Sequence, residues 1–130
     1  MHPDRSAPAP VFVYGSLRRG EYNHRLLAGA EYGGEARVQG FALYSLGAYP
    51  MAIAGRGCLV GELYHCTPAL LRQLDRLEEH PHVYQRQWVA LTDGREAWLY
   101  VGRSQLLGNA PCLEHGDWCR RSSGGTDSSG

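Results

Sequence analysis

The chain contains no lysine: all 13 of its basic residues are arginine. Schiff-base chemistry, attachment of pyridoxal phosphate and the phosphate-binding lysine of P-loops are thereby excluded. Net charge is missing too, because 13 acidic residues balance the arginines. No overall field draws such a chain to nucleic acid or anionic lipid. No stretch approaches the roughly eighteen consecutive apolar residues of a membrane span. The opening MHPDRSAPAP lacks the apolar core of a secretory signal, so a cytoplasmic setting is expected. There Cys58, Cys66, Cys112 and Cys119 are expected to be reduced. A length of 130 residues holds one core and leaves no room for separate cofactor and substrate domains.

Glycine, by contrast, is plentiful, at 17 of 130 residues, which favours short strands and turns over helices. Residues 1–10 carry three prolines without an apolar pattern, and residues 122–130 (SSGGTDSSG) cannot bury anything. Both ends are therefore expected to be disordered, with a single domain over 11–121. Val11-Phe12-Val13-Tyr14 is a buried strand halted by Gly15. Residues 21–29 suit a short helix. Residues 35–45 and 58–66 read as strands, the second apolar on both faces. Residues 83–92 and 95–102 flank Asp93-Gly94, a hairpin turn signal. Thr67 and Pro68 fit the cap and first position of a helix that ends before Pro81. The expected class is α+β: a small, mixed β-barrel with short flanking helices.

That helix places its chemistry at one end. Leu70, Leu71, Leu74 and Leu77 form one apolar arc at about 100° per residue. On the same wheel Glu78 falls near 80°, inside the arc, with Asp75 near 140° at its edge and Glu79 near 180° outside it. A carboxylate turned into an apolar interior has a raised pKa, which suits a general acid or base near neutral pH, although a frayed helix end would release it to water. Tyr14-Gly15-Ser16-Leu17-Arg18-Arg19-Gly20 is a strand opening into a glycine-bounded loop, whose backbone N–H groups can cradle an anion. It is not a nucleophile elbow, and Arg18 and Arg19 read either as steering charges or as solvated surface.

Together these segments resemble the gamma-glutamylcyclotransferase-like proteins. Val13 to Gly20 looks like the opening signature of that family, and Gly61-Glu62-Leu63-Tyr64 is similar to its central strand. Leu74-Asp75-Arg76-Leu77-Glu78 with Tyr84-Gln85-Arg86 matches its L-D-x-x-E … Y-x-R segment, and Gly116-Asp117-Trp118 its closing triplet. The resemblance implies a compact mixed barrel with one cavity. It further implies closure of a gamma-glutamyl group to 5-oxoproline with release of the attached amine, using neither cofactor nor metal. By motif position it makes Glu78 the acid/base and Tyr14, Gly15, Ser16 and Leu17 the substrate cradle. Tyr84 and Arg86 would line or brace the pocket. The implied partner is a small gamma-glutamyl substrate, with no nucleic acid or membrane involved and the oligomeric state open. Glu79 departs from the family's frequent glycine, and residues 102–114 match poorly.

Three alternatives remain at this level. Glu62, on a doubly apolar strand, competes as the base or serves as a partner. Cys112, His115 and Cys119, with His80, His82, Cys58 or Cys66, offer zinc ligands at a spacing that fits no common finger. A non-catalytic module of the same fold would keep the cavity and bind a small ligand without turnover.

Overall fold

A computed structural model describes residues 7–120; residues 1–6 and 121–130, which include most of the expected disordered ends, lie outside the described residues. The strands are β1 (Ala9–Val13), β2 (Glu31–Ser45), β3 (Pro50–Cys66), β4 (Gln85–Ala90), β5 (Glu96–Val101) and β6 (Cys112–Leu113), with one α-helix, α1 (Pro68–Leu77). They form one mixed six-stranded sheet in the order β4-β5-β1-β3-β2-β6. The α+β class is as expected. The edge strands β4 and β6 do not pair with each other, so no closed barrel forms among the described residues.

Strand β1 lies inside the sheet, antiparallel to β3 and parallel to β5. A strand paired on both sides and covered on both faces must be apolar throughout, and Val11, Phe12 and Val13 are all buried. Alternation then divides the core. Phe12, Leu59, Leu63 and Leu99 share one cluster, whereas Val11, Val13, Tyr64 and Tyr100 share the other. Helix α1 covers the second face with Leu74 fully buried and Leu70 and Leu71 packed against it. Leu77, the last residue of the helix, is exposed and lines a cavity instead of packing into the core.

β1 begins at Ala9, two residues ahead of the expected strand. The β2–β3 hairpin is longer than the pattern over 35–45 and 58–66 indicated. Residues 50–54 pair with 41–45, and register shifts near Gly33–Gly34 and Gly40 absorb the extra residues. Over 21–29 only a short 3-10 turn forms, His24–Leu27. The β4–β5 hairpin turns where expected, with Gly94 at positive φ.

Two glycines permit close backbone approaches, Gly61 of β3 against β1 and Gly116 against β3. A Cβ on Gly61 would sit 2.2 Å from the Val13 carbonyl oxygen. A Cβ on Gly116 would sit 1.8 Å from the Cys58 carbonyl oxygen, and Gly116 also has φ of +69°. Neither position tolerates a side chain without moving backbone. No helix among the described residues is long and apolar enough to cross a membrane.

Candidate active site

Beyond Val13 the chain leaves the sheet and turns sharply, with Arg18 N–H donating to the Gly15 carbonyl at 3.0 Å. The turn packs Gly15 against Pro50, where a Cβ would meet the ring at 2.6 Å; glycine is required here by a neighbouring side chain. Among the described residues, no acceptor engages the backbone N–H groups of Gly15, Ser16 or Leu17. Such groups are costly to leave unmet, and the segment lines a cavity of about 470 Å³. That volume suits a small molecule.

The end of α1 lines the same cavity. Thr67 caps the start, its hydroxyl accepting from Leu70 N–H at 3.1 Å, and Pro68 occupies the first turn. At the other end His80 N–H donates to the Asp75 carbonyl and Glu79 N–H to that of Arg76. This is a Schellman closure, which needs a left-handed residue after the cap. Glu79 supplies it at φ of +53°, a conformation that costs a non-glycine residue about 1–2 kcal/mol. The closure fixes Glu78 as the cap, and its side chain lines the cavity. No hydrogen bond reaches the Glu78 carboxylate from the described residues, and burial pushes its pKa up to about 7.

Tyrosines complete the wall and are held by backbone. Tyr14 donates its hydroxyl to the Tyr100 carbonyl at 2.6 Å and accepts from Ala52 N–H at 3.1 Å. Tyr84 donates to the Pro50 carbonyl at 2.7 Å. Burial, and secondarily the neighbouring phenol and Glu78, raise the pKa of Tyr14 well above its usual value, so both rings remain neutral donors. Glu78, Tyr14, Gly15, Ser16, Leu17 and Tyr84 are thus brought together around one cavity.

Arg86 is not. It forms a two-pronged pair with Asp75 at 2.7 and 3.0 Å and lies 4.5 Å over the Trp98 ring. Burial works against ionisation of Asp75, but hydrogen bonds from Arg86 and Tyr100 outweigh it and lower its pKa. Arg86 therefore braces α1 against β5 outside the cavity. Arg18 is likewise neither a steering charge nor solvated. It is buried, with its Nε donating to Glu62 at 3.1 Å and Nη1 to Asp117. Glu62 also accepts from Arg19 N–H and from the Tyr64 hydroxyl, each at 2.9 Å. Its carboxylate is thus engaged away from the cavity wall, as a partner.

The candidate zinc ligands do not assemble. Cys119 Sγ approaches Glu21, and His115 Nδ1 accepts from Asp117 N–H. No three histidine, cysteine or acidic side chains come together in a metal-holding geometry among the described residues. Tyr22, Tyr49, Tyr100 and Leu77 also line the cavity and were not singled out beforehand as site residues. Only exposure at a cavity mouth marks Tyr22, Tyr49 and Leu77, and it has no signature in sequence.

Comparison with known proteins agrees with this architecture. The family model described as "Gamma-glutamyl cyclotransferase, AIG2-like" matches residues 11–120. The Escherichia coli K12 "Gamma-glutamylcyclotransferase family protein YtfP" is 38% identical over 111 residues, covering 85% of this chain and 96% of that protein. A Bos taurus "Gamma-glutamylaminecyclotransferase" is 42% identical over 91 residues, spanning 60% of this chain and 53% of the bovine one. The crystal structure of a mouse AIG2-like protein superposes with a TM-score of 0.72 at 27% identity, covering 82% of this chain and 86% of that one.

Proposed function

The chain belongs to the gamma-glutamyl cyclotransferase, AIG2-like family, and from that premise we propose that it closes gamma-glutamyl amides to 5-oxoproline. The observation that carries this reading is the Glu78 carboxylate, its pKa raised by burial to about 7, on the same cavity as the Gly15–Leu17 segment, whose backbone N–H groups meet no acceptor among the described residues.

In the proposed reaction the anionic end of the substrate, its α-carboxylate or the oxyanion that develops on the γ-carbonyl, takes the N–H groups of Gly15, Ser16 and Leu17. Glu78 removes a proton from the α-ammonium. The freed amine attacks the γ-carbonyl carbon of the same molecule and closes a five-membered ring. The bond from that carbon to the outgoing nitrogen then breaks as protonated Glu78 returns its proton to that nitrogen, and the second proton of the attacking nitrogen passes through the freed carboxylate to the released amine, which departs as its ammonium form. Every atom ends in 5-oxoproline or the free amine, and the carboxylate is regenerated. Because attack is intramolecular, confinement in the cavity supplies much of the acceleration. Tyr14 and Tyr84 act as walls, since their hydroxyls are committed to backbone.

The test is 5-oxoproline release from a panel of gamma-glutamyl amines and dipeptides. The expected result is release from at least one panel member, matched mole for mole by free amine. Saturable binding of the panel without any 5-oxoproline would instead identify a binding module.

A further inference from the structure

The charge of the cavity lining constrains what can leave. Among the described residues that line it, the charged side chains are Glu78 and Glu79, and no arginine or histidine joins them. The nearby cations are otherwise engaged: Arg25 lies 4.7 Å over the Tyr22 ring and donates to the Tyr22 carbonyl, and Arg86 is paired with Asp75. Arg76 and His80, at the same helix end, do not line the cavity. The carbonyl end of α1 adds partial negative charge beside the two carboxylates. Exposed at the mouth are Glu79 and the rings of Tyr22 and Tyr49, one face of Tyr22 carrying the Arg25 guanidinium. The Tyr49 face and the Glu79 carboxylate attract a cation and repel an anion.

Glu79 itself is unusual. It is the only non-glycine residue at positive φ among the described residues. Glycine would close the helix there without strain. A strained side chain on a cavity wall suggests that the side chain has a use.

We infer that Glu79 is a specificity-determining residue that selects a leaving amine with a positive charge at its far end and disfavours one ending in a carboxylate. The inference rests on the proposed ring-closing reaction and names its substrate class. The N–H groups of the Tyr14–Leu17 loop can satisfy one anionic group, at the glutamyl end. A second carboxylate, such as an amino acid or peptide would carry, meets no cationic side chain among the described lining residues and has two acids to face.

The experiment uses three gamma-glutamyl conjugates of matched length: those of a five-carbon diamine, the corresponding monoamine and the corresponding ω-amino acid. The wild-type kcat/KM is expected to favour the diamine over the amino acid conjugate by about tenfold, the combined effect of one exposed attraction and one exposed repulsion. Glu79→Gln and Glu79→Gly should each cut that ratio to about threefold or less, and raised salt should compress the wild-type ratio. A wild-type ratio near one, or a ratio unchanged in both variants, overturns the inference while leaving the reaction intact. Absence of 5-oxoproline from all three overturns the reaction instead. Affinities of the same conjugates for Glu78→Gln then read the charge preference without turnover, a tenfold order supporting it and equal affinities overturning it.

Discussion

Glu78→Gln is expected to lower turnover by about 10²–10⁴-fold, the range a positioned acid/base supplies, while making the folded protein more stable at pH 8. The two effects share a cause. Burial raises the carboxyl from its usual 4.5 to about 7, so the folded chain holds the proton more tightly than the unfolded chain does. Stability from this group is therefore fully present below pH 4.5 and is lost as pH rises through 7. Gln has nearly the same shape and no charge to desolvate, so at pH 8 it should recover at most about 3 kcal/mol. At pH 4 the two proteins should unfold alike. Chemical denaturation at the two pH values, run beside the 5-oxoproline assay, checks both halves. A variant that loses activity because it loses stability would make Glu78 a structural residue and remove the proposed base.

The second large effect is expected on the far side of the loop. Arg18, Glu62 and Asp117 are 5%, 5% and 9% exposed, and they join the loop after β1, strand β3 and the closing Gly116-Asp117-Trp118 segment. Burial works against the Arg18 charge, yet its hydrogen bond to Asp117 and that to Glu62 raise its pKa. Removing one partner from such a group leaves charge uncompensated, which typically costs about 3–5 kcal/mol. Asp117→Ala should therefore destabilise by that amount. Asp117→Asn, which retains an oxygen for Arg18, should cost clearly less. Denaturant unfolding at pH 7 measures both. A loss below about 1 kcal/mol for Asp117→Ala would mean the pair behaves as a surface ion pair. Because Arg18 directly follows Leu17, the same variants should also raise KM where they remain folded.

What could be read in advance divides along physical lines. The cap at Thr67, the leucine spacing of α1 and the Asp-Gly turn are local, and local chemistry survives into the fold. Glu78 was legible because its place on the helical wheel and its motif agreed. The length of the β2–β3 hairpin was not, since glycine-rich stretches have no alternation to read and their pairing is decided across strands. Sheet closure was misjudged for the same reason, because short strands specify neither an edge nor its partner. Arg18 was misplaced because its partners stand 44 and 99 residues away, a distance no periodicity spans. Arg86 was tied to the pocket by motif, whereas its partner Asp75 turns it toward the helix brace. Glu79 could be seen to depart from a common glycine, but its strained backbone and place on the wall belong to the folded helix end.

The central claim is that one carboxyl beside the cavity is held out of water and can carry a proton at neutral pH. Its most direct test is a carbon-13 NMR titration of the Glu78 side chain in the folded, ligand-free protein, assigned by its absence in Glu78→Gln. A midpoint near pH 7 is the expected result. A midpoint near the ordinary 4.5 would mean that water reaches the group freely, and would contradict the account.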